Sequence, residues 1–275
     1  MSRVFNGTTD RIDWASPYNP TTSPISISAW IYNHTKPVNT QYILATHNVA
    51  NTTFGVAFTV YAALARLDLF RNGTTLLDRI SITDTVQLNT WANVIVTHTG
   101  VMNDYSTIHI YYNGVEVTYA TGTNGATEAS AAGKWSIGGR IYDNARNFDG
   151  NIAEVGVWNR VITPAEIAYL ASGIQPCGYS NGLVFYWSGI IDSLIADPGG
   201  LGVASGTIYS ASHPTMLHLL PASDRQKFTV PAENRTMAIP VENRTMVIPA
   251  ENRIFTVPAE NRTLIIPAED RTLEV

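Results

Sequence analysis

With 275 residues, 14% of them charged, and a formal net charge of −5, the chain has room for one large β-domain plus an extension and has no broad basic surface to neutralise phosphates. No apolar run approaches the roughly 20 residues that span a bilayer. Met1-Ser2-Arg3-Val4-Phe5-Asn6 lacks the apolar core and small-residue cleavage site of a secretory signal, so neither nucleic acid nor membrane is an expected partner and synthesis without an export signal is expected.

Through residue 210 the chain is a succession of short alternating strands separated by turn residues, the pattern of an all-β, two-sheet antiparallel sandwich. Ile25, Ile27, Ala29 and Ile31 fall on one face of a strand, and Ser26, Ser28 and Trp30 on the other. Leu67-Asp68-Leu69-Phe70-Arg71 followed by Asn72-Gly73 predicts a hairpin, and so does Ile108 to Val117 with Asn113-Gly114 at its centre, because Asn-Gly readily takes the positive φ of a type I′ turn. Trp91-Ala92-Asn93-Val94-Ile95-Val96 predicts another strand. One short helix stands out from Thr163: Thr at the N-cap, Pro164 at the first helical position, Glu166 three residues after the cap, and Gly173 to stop it. The single cysteine, Cys177, excludes an intramolecular disulfide.

From Pro221 a nine-residue unit recurs, with copies beginning at Pro231, Pro240, Pro249, Pro258 and Pro267 and a degenerate first copy at Pro221. Each joins a turn-prone Pro-Ala-Glu-Asn to a strand-prone Arg-Thr-rich half. The odd period would flip the side chains from face to face in one continuous strand, so the proline turn must reset the register or both faces must be buried. A unit this short encloses no core, which predicts strand addition to copies of the chain in a homo-oligomer or to a neighbouring protein. The assembly residues would be Met237, Ile239, Met246, Ile248, Phe255, Val257, Leu264 and Ile266. The expected domains are a sandwich over 1–210, a linker over 211–220 and the repeat array over 221–275.

Hydrolysis of a glycosidic bond needs two carboxylates across the substrate, commonly acidic residues alternating along a strand. Glu154 is isolated between Ala153 and Val155, no Gly-x-Ser-x-Gly occurs, and the six histidines are scattered, so no enzymatic activity is expected. Glycan binding needs exposed aromatic platforms, and Tyr105, Tyr142 and Tyr179 lie in predicted loops, where packing is the competing role.

Phe148-Asp149-Gly150-Asn151-Ile152-Ala153-Glu154-Val155 and Trp158-Asn159-Arg160-Val161-Ile162-Thr163-Pro164-Ala165-Glu166-Ile167 resemble the closing strand, turn and helix of laminin-G-like, concanavalin A-like domains. Phe5-Asn6-Gly7 and Asp10-Arg11-Ile12 are similar to that family's opening, and Trp91-Ala92-Asn93-Val94 with Tyr111-Tyr112-Asn113-Gly114 to its centre. The resemblance implies a jelly roll, and it implies calcium at the sandwich rim, for which Asp143, Asn144, Asn147 and Asp149 are the candidates with suitable hard oxygens. The Pro-Ala-Glu-Asn-Arg-Thr array resembles repeats of tailed-phage structural proteins. Together these imply a phage structural protein of the decoration or cement type on the virion surface. Its partners would be other virion proteins and copies of itself, with a trimer favoured by analogy. The alternative is a receptor-binding tail fibre or carbohydrate-binding module that recognises cell-surface glycan.

Overall fold

Alternation decides which way each strand faces. Along Ile25–Asn33 the side chains of Ile25, Ile27, Ala29 and Ile31 enter one core, where they meet Val94 and Val96 of Trp91–His98 and Ile152, Val155 and Val157 of Asp149–Trp158. The computed structural model describes residues 2–16, 24–48, 54–61, 64–128, 133–140 and 146–189, the short strands Ala204–Ser205 and Tyr209–Ala211, and six short strands beyond residue 226. The chain divides into two compact units, 1–219 and 220–275.

The first unit is a jelly-roll sandwich of two antiparallel sheets. The back sheet runs Val115–Glu116, Ile108–Tyr112, Trp91–His98, Ile25–Asn33, Asp149–Trp158, Ser2–Asn6, Tyr209–Ala211, with Leu183–Trp187 also pairing Asp149–Trp158. The front sheet runs Tyr119–Thr123, Leu77–Ser81, Arg66–Arg71, Phe54–Tyr61, Gln41–Asn48, Gly133–Ile137, Arg11–Ser16, Ala204–Ser205. Val56, Phe58, Val60, Leu67 and Leu69 of the front sheet face the back sheet across the main core. Each such side chain contributes roughly 1.5–3 kcal/mol on full burial.

The helix Pro164–Ala171 carries the capping box anticipated for it: the Glu166 N–H donates to Thr163 Oγ1 and the Thr163 N–H donates to Glu166 Oε2. Its Ile167 and Leu170 join Ile95, Trp158 and Ile162 in a second cluster on the outer face of the back sheet. Ser26 ties the preceding turn to that face, donating to the Arg160 carbonyl at 2.7 Å and accepting from the Ile162 N–H at 3.1 Å. The back sheet is thus covered on both sides where the helix lies.

The two predicted hairpins differ. Asn113 and Gly114 take φ of +51° and +79° and join Tyr112 directly to Val115, as a two-residue type I′ turn requires. After Arg71, however, the pairing resumes only at Leu77, so Asn72-Gly73 is not the turn. Gly73 instead begins a short strand against Ala126–Glu128, where a β-carbon would sit 2.1 Å from the Ala126 carbonyl oxygen. Close backbone approach, not positive φ, is what glycine supplies there.

In the second unit the repeat strands find partners within the same chain. Lys227–Thr229 pairs with Thr272–Glu274, Thr236–Ala238 with Thr263–Ile265, and Thr245–Ile248 with Arg253–Thr256, all antiparallel. In all three ladders the partners' residue numbers add to 501, as for Met237 with Leu264 and Met246 with Phe255. These three ladders are therefore nested, and Val247 also pairs with Glu274, which joins the first and third into one four-stranded sheet. Equal spacing is the reason: strands nine residues apart stay in step when the chain doubles back. Four of the predicted assembly positions are each other's register partners, so backbone partners from a second chain are not needed to form these ladders. Ile248 lies within a described strand, and Ile239, Val257 and Ile266 lie outside the described residues.

Candidate functional site

No described helix covers the outer face of the front sheet, where a small buried apolar cluster stands beside charged and polar side chains. Opposite in parity to Leu67 and Leu69, Asp68 and Phe70 project from Arg66–Arg71 onto that face. Thr59 stands directly across from Asp68, and Asp78 directly across from Phe70, which places Asp68 and Asp78 on a diagonal between neighbouring strands. Tyr42 comes from Gln41–Asn48, across from Thr59. Tyr42, Ala45, Ala57 and Phe70 form a small apolar patch separate from the main core.

Tyr42, Asp68, Phe70 and Asp78, with Tyr61, Arg140 and Arg146, line a groove of about 250 Å³. The rings of Tyr42 and Phe70 meet edge to face, with centroids 5.9 Å apart at 86°. The Arg140 guanidinium carbon lies 5.6 Å from the Tyr42 ring centre, within cation–π range. Tyr61 is 38% exposed at the margin. Asp68 is 1% exposed, yet nothing donates a hydrogen bond to its Oδ1, and Thr59 Oγ1 and Asp78 Oδ1 are also buried without partners. Burial, and secondarily the negative charge of Asp78, push the Asp68 carboxyl well above the usual carboxylate range. Unpaired buried oxygens facing a groove are costly unless a ligand, ion or water supplies the missing partner.

A second cavity, of about 310 Å³, lies at the rim and shares Arg146 with the first. Asn147 and Asp149, two of the four calcium candidates, line it with Asn6, Thr35 and Gln41. Thr35 Oγ1 donates to Asp149 Oδ2 at 2.5 Å, and His34 Nδ1 lies 3.4 Å from Asp149 Oδ1. Asn6 Oδ1 accepts the N–H groups of Thr8, Thr9 and Asp10, and Asn147 Nδ2 donates to the Thr8 carbonyl. Asp143 and Asn144 lie outside the described residues, among which no three His, Cys, Asp or Glu side chains gather as a metal group. Of the described half of the set, Asp149 is the one carboxylate, with its oxygens near Thr35 and His34, and Asn147 Oδ1 is buried without a hydrogen-bond partner.

The aromatic candidates are not brought together. Tyr105 sits on the 3₁₀ turn Tyr105–Thr107 with its ring against Gly122 of the front sheet's edge strand, where a β-carbon would lie 2.4 Å from Tyr105 Cδ2. Tyr179 stacks on Tyr169 of the helix, at 6.1 Å and 16°, on the back-sheet side. Tyr142 lies outside the described residues. Glu154 is fully buried at a bulge with φ of +51°, accepting from Gln175 Nε2 at 3.2 Å and Tyr186 OH at 2.5 Å, which is a structural setting. Sequence alone does not single out Tyr42, Asp68, Phe70, Asp78 or Arg140, since the two carboxyls come from different strands. The available signal is Asp68-x-Phe70, a polar and an aromatic residue sharing one face of a strand whose other face is leucine.

Residues 6–168 match the laminin-G family described as the concanavalin A-like lectin/glucanases superfamily. No curated protein matches the chain. Among solved structures, a Bacteroides ovatus protein assigned to carbohydrate binding is similar with a TM-score of 0.52 at 18% identity, over 78% of this chain and 60% of its own. This chain thus spans about 60% of that protein's length. A heptameric SAP-like pentraxin of Limulus polyphemus gives 0.45 at 16% identity, over 74% of this chain and 93% of its own. The CBM40 of Ruminococcus gnavus IT-sialidase, bound to α2,3-sialyllactose, gives 0.42 at 12%, over 54% and 83% respectively.

Proposed function

The chain belongs to the concanavalin A-like lectin/glucanases superfamily, and we propose that it is a carbohydrate-recognition module whose ligand lies in the groove on the front sheet. One observation carries this reading: the groove brings the exposed ring of Tyr61 to the same lining as buried oxygens of Asp68 and Asp78 that lack hydrogen-bond partners. A sugar ring offers apolar C–H faces to aromatic side chains and hydroxyls that both donate and accept. The Bacteroides protein of the same fold, assigned to carbohydrate binding, is in keeping with it.

The test is a glycan array probed with the full chain and with Tyr42→Ala and Asp78→Ala, each checked for an unchanged fold by circular dichroism. Selective retention of a saccharide by the wild type, lost in both variants, is expected. Retention of nothing, or equal retention by all three proteins, would reject the groove. Hydrolysis is a second reading, favoured by the carboxyl pair, because glycoside cleavage divides acid and base roles between two such groups. Release of reducing ends from a retained saccharide would select it. Placement on a virion surface draws on the repeat resemblance alone, and such a module would serve there as the receptor-binding part.

A further inference from the structure

We propose that the groove holds its ligand with a neutral carboxylic acid: Asp68 donates a hydrogen bond to a saccharide hydroxyl while Asp78 accepts one, so that the ligand enters together with a proton and leaves as the pH rises. This rests on the carbohydrate reading of the same groove.

The geometry leaves Asp68 few alternatives. Its Oδ1 has no hydrogen-bond partner and, among the described residues, no cation forms an ion pair with it, at 1% exposure. The titratable and charged groups on its side of the sheet are Arg66 on its own strand, Tyr61 on Phe54–Tyr61, Tyr42 on Gln41–Asn48, Asp78 on Leu77–Ser81, and Arg140 and Arg146 from the segments lining the groove, while Arg71 and Arg79 are bound on the other side, to His98 and the Ile108 carbonyl. Arg66 is directed elsewhere, donating from Nη2 to Thr83 Oγ1 at 2.9 Å, and neither Arg140 nor Arg146 pairs with Asp68. Its nearest polar neighbours across the strands, Thr59 and Asp78, present unpaired oxygens.

An ionised carboxylate in that position would be an anion with an unpaired oxygen beside a second carboxyl, in a place that water scarcely reaches. Protonated, the same group becomes a donor, which relieves the repulsion between two adjacent carboxyls. Burial and Asp78 act on Asp68 in that same direction. A single hydroxyl can then accept from Asp68 and donate to Asp78, or a vicinal pair can divide the two tasks. No bond to the ligand is made or broken; where Asp68 is ionised in the free protein, the proton comes from solvent.

Two measurements on the full chain decide the matter. The first needs no ligand: carboxyl carbon shifts of ¹³C-aspartate are followed against pH. One aspartate should remain protonated after the others have ionised, absent from Asp68→Asn and moved downward in Asp78→Asn. Ordinary titration of every aspartate would overturn the proposal. The second is the glycan array at about pH 5.5 and about pH 8.5. Wild-type signal should be no greater at the higher value, and should fall once Asp68 ionises. Asp68→Asn, whose amide also donates, should bind at both values, and Asp68→Ala at neither. Loss of binding in Asp68→Asn, or undiminished binding in Asp68→Ala, would overturn donation by Asp68. An array empty at both values would overturn the carbohydrate reading, and the inference with it, even where the carboxyl titration shows the proton in place.

Discussion

Arg71 and His98 meet inside the sandwich, one from each sheet, with Arg71 Nη1 2.7 Å from His98 Nδ1 and both side chains fully buried. An arginine only donates, so His98 Nδ1 is the acceptor and its Nε2–H donates to the Val101 carbonyl at 3.1 Å. Burial, then the charge of Arg71, lowers the imidazole from 6.5 to about 4. The unfolded chain therefore binds the proton more readily than the folded one. Stability from this group is present above pH 6.5 and is lost as the pH falls towards 4, by roughly 3 kcal/mol. Urea midpoints measured across this window should decline towards acid, and His98→Gln should remove that part of the slope. A slope unchanged in the variant would reject the neutral tautomer.

Asp68 titrates in the opposite sense. Its folded-state value is raised, so the stability it permits is greatest below the ordinary value of 3.8 and declines as the pH rises from there. Asp68→Asn should accordingly raise the unfolding free energy at pH 8 by on the order of 1–3 kcal/mol, the desolvation cost of one unsatisfied buried group. At about pH 3 it should do little. A variant less stable than wild type at pH 8 would mean that Asp68 has a folded-state partner. Because the two groups oppose one another, the His98 slope should be steepest in the Asp68→Asn background.

This contrast marks how far the sequence could be followed. Period-two alternation in Ile25 to Ile31 and the capping signals around Thr163 are local, and the structure keeps them as read. The family resemblance runs along the same residues, so the sandwich was legible. The groove was not, because Asp68, Asp78, Tyr42 and Arg140 are separated in sequence and are brought together only by front-sheet register and a bulge between Tyr42 and Leu44. Nor could spacing distinguish Gly73 as a close-packed strand glycine from Gly114 as a turn glycine, since Asn-Gly precedes both roles identically. The repeat array shows a related ambiguity: a nine-residue period is satisfied equally by pairing in one chain or between chains.

The helix cap gives an independent acid response. Glu166 is bound by Arg160, whose Nη1 donates to Oε2 at 2.8 Å, and by the Thr163 N–H at 2.7 Å. Arg160 first, then Thr163, holds its carboxyl down at about 2. The folded-state value is depressed, so this contribution is complete above pH 4.5 and disappears as the pH falls towards 2. Thr163→Ala removes the acceptor of the Glu166 N–H and should cost about 1 kcal/mol. Glu166→Gln should cost a similar amount at pH 7 but nothing further in acid. Thermal melts at about pH 2.5 and about pH 7 separate the two, and equal acid sensitivity of wild type and Glu166→Gln would refute the assignment.

Ending the chain at residue 219 tests what the repeat strands do. Every strand of both large sheets, including Ala204–Ser205 and Tyr209–Ala211, belongs to residues 1–219, and the repeat strands pair among themselves. Removal of 220–275 therefore takes no hydrogen bond from either sandwich ladder. The truncated chain should melt cooperatively within a few degrees of the full chain, with the groove intact and saccharide retention unchanged. Its oligomeric state, from light scattering, then bears on assembly. If the full chain associates and the truncated one is monomeric, Met237, Ile239, Met246, Ile248, Phe255, Val257, Leu264 and Ile266 keep the intermolecular role their pattern suggests, with apolar faces joining copies whose backbone pairing is already satisfied within each chain. If both are monomeric, the nested ladders are self-sufficient and the array acts as a spacer or as a docking segment for a different protein. A truncated chain that fails to fold would contradict the division into two compact units.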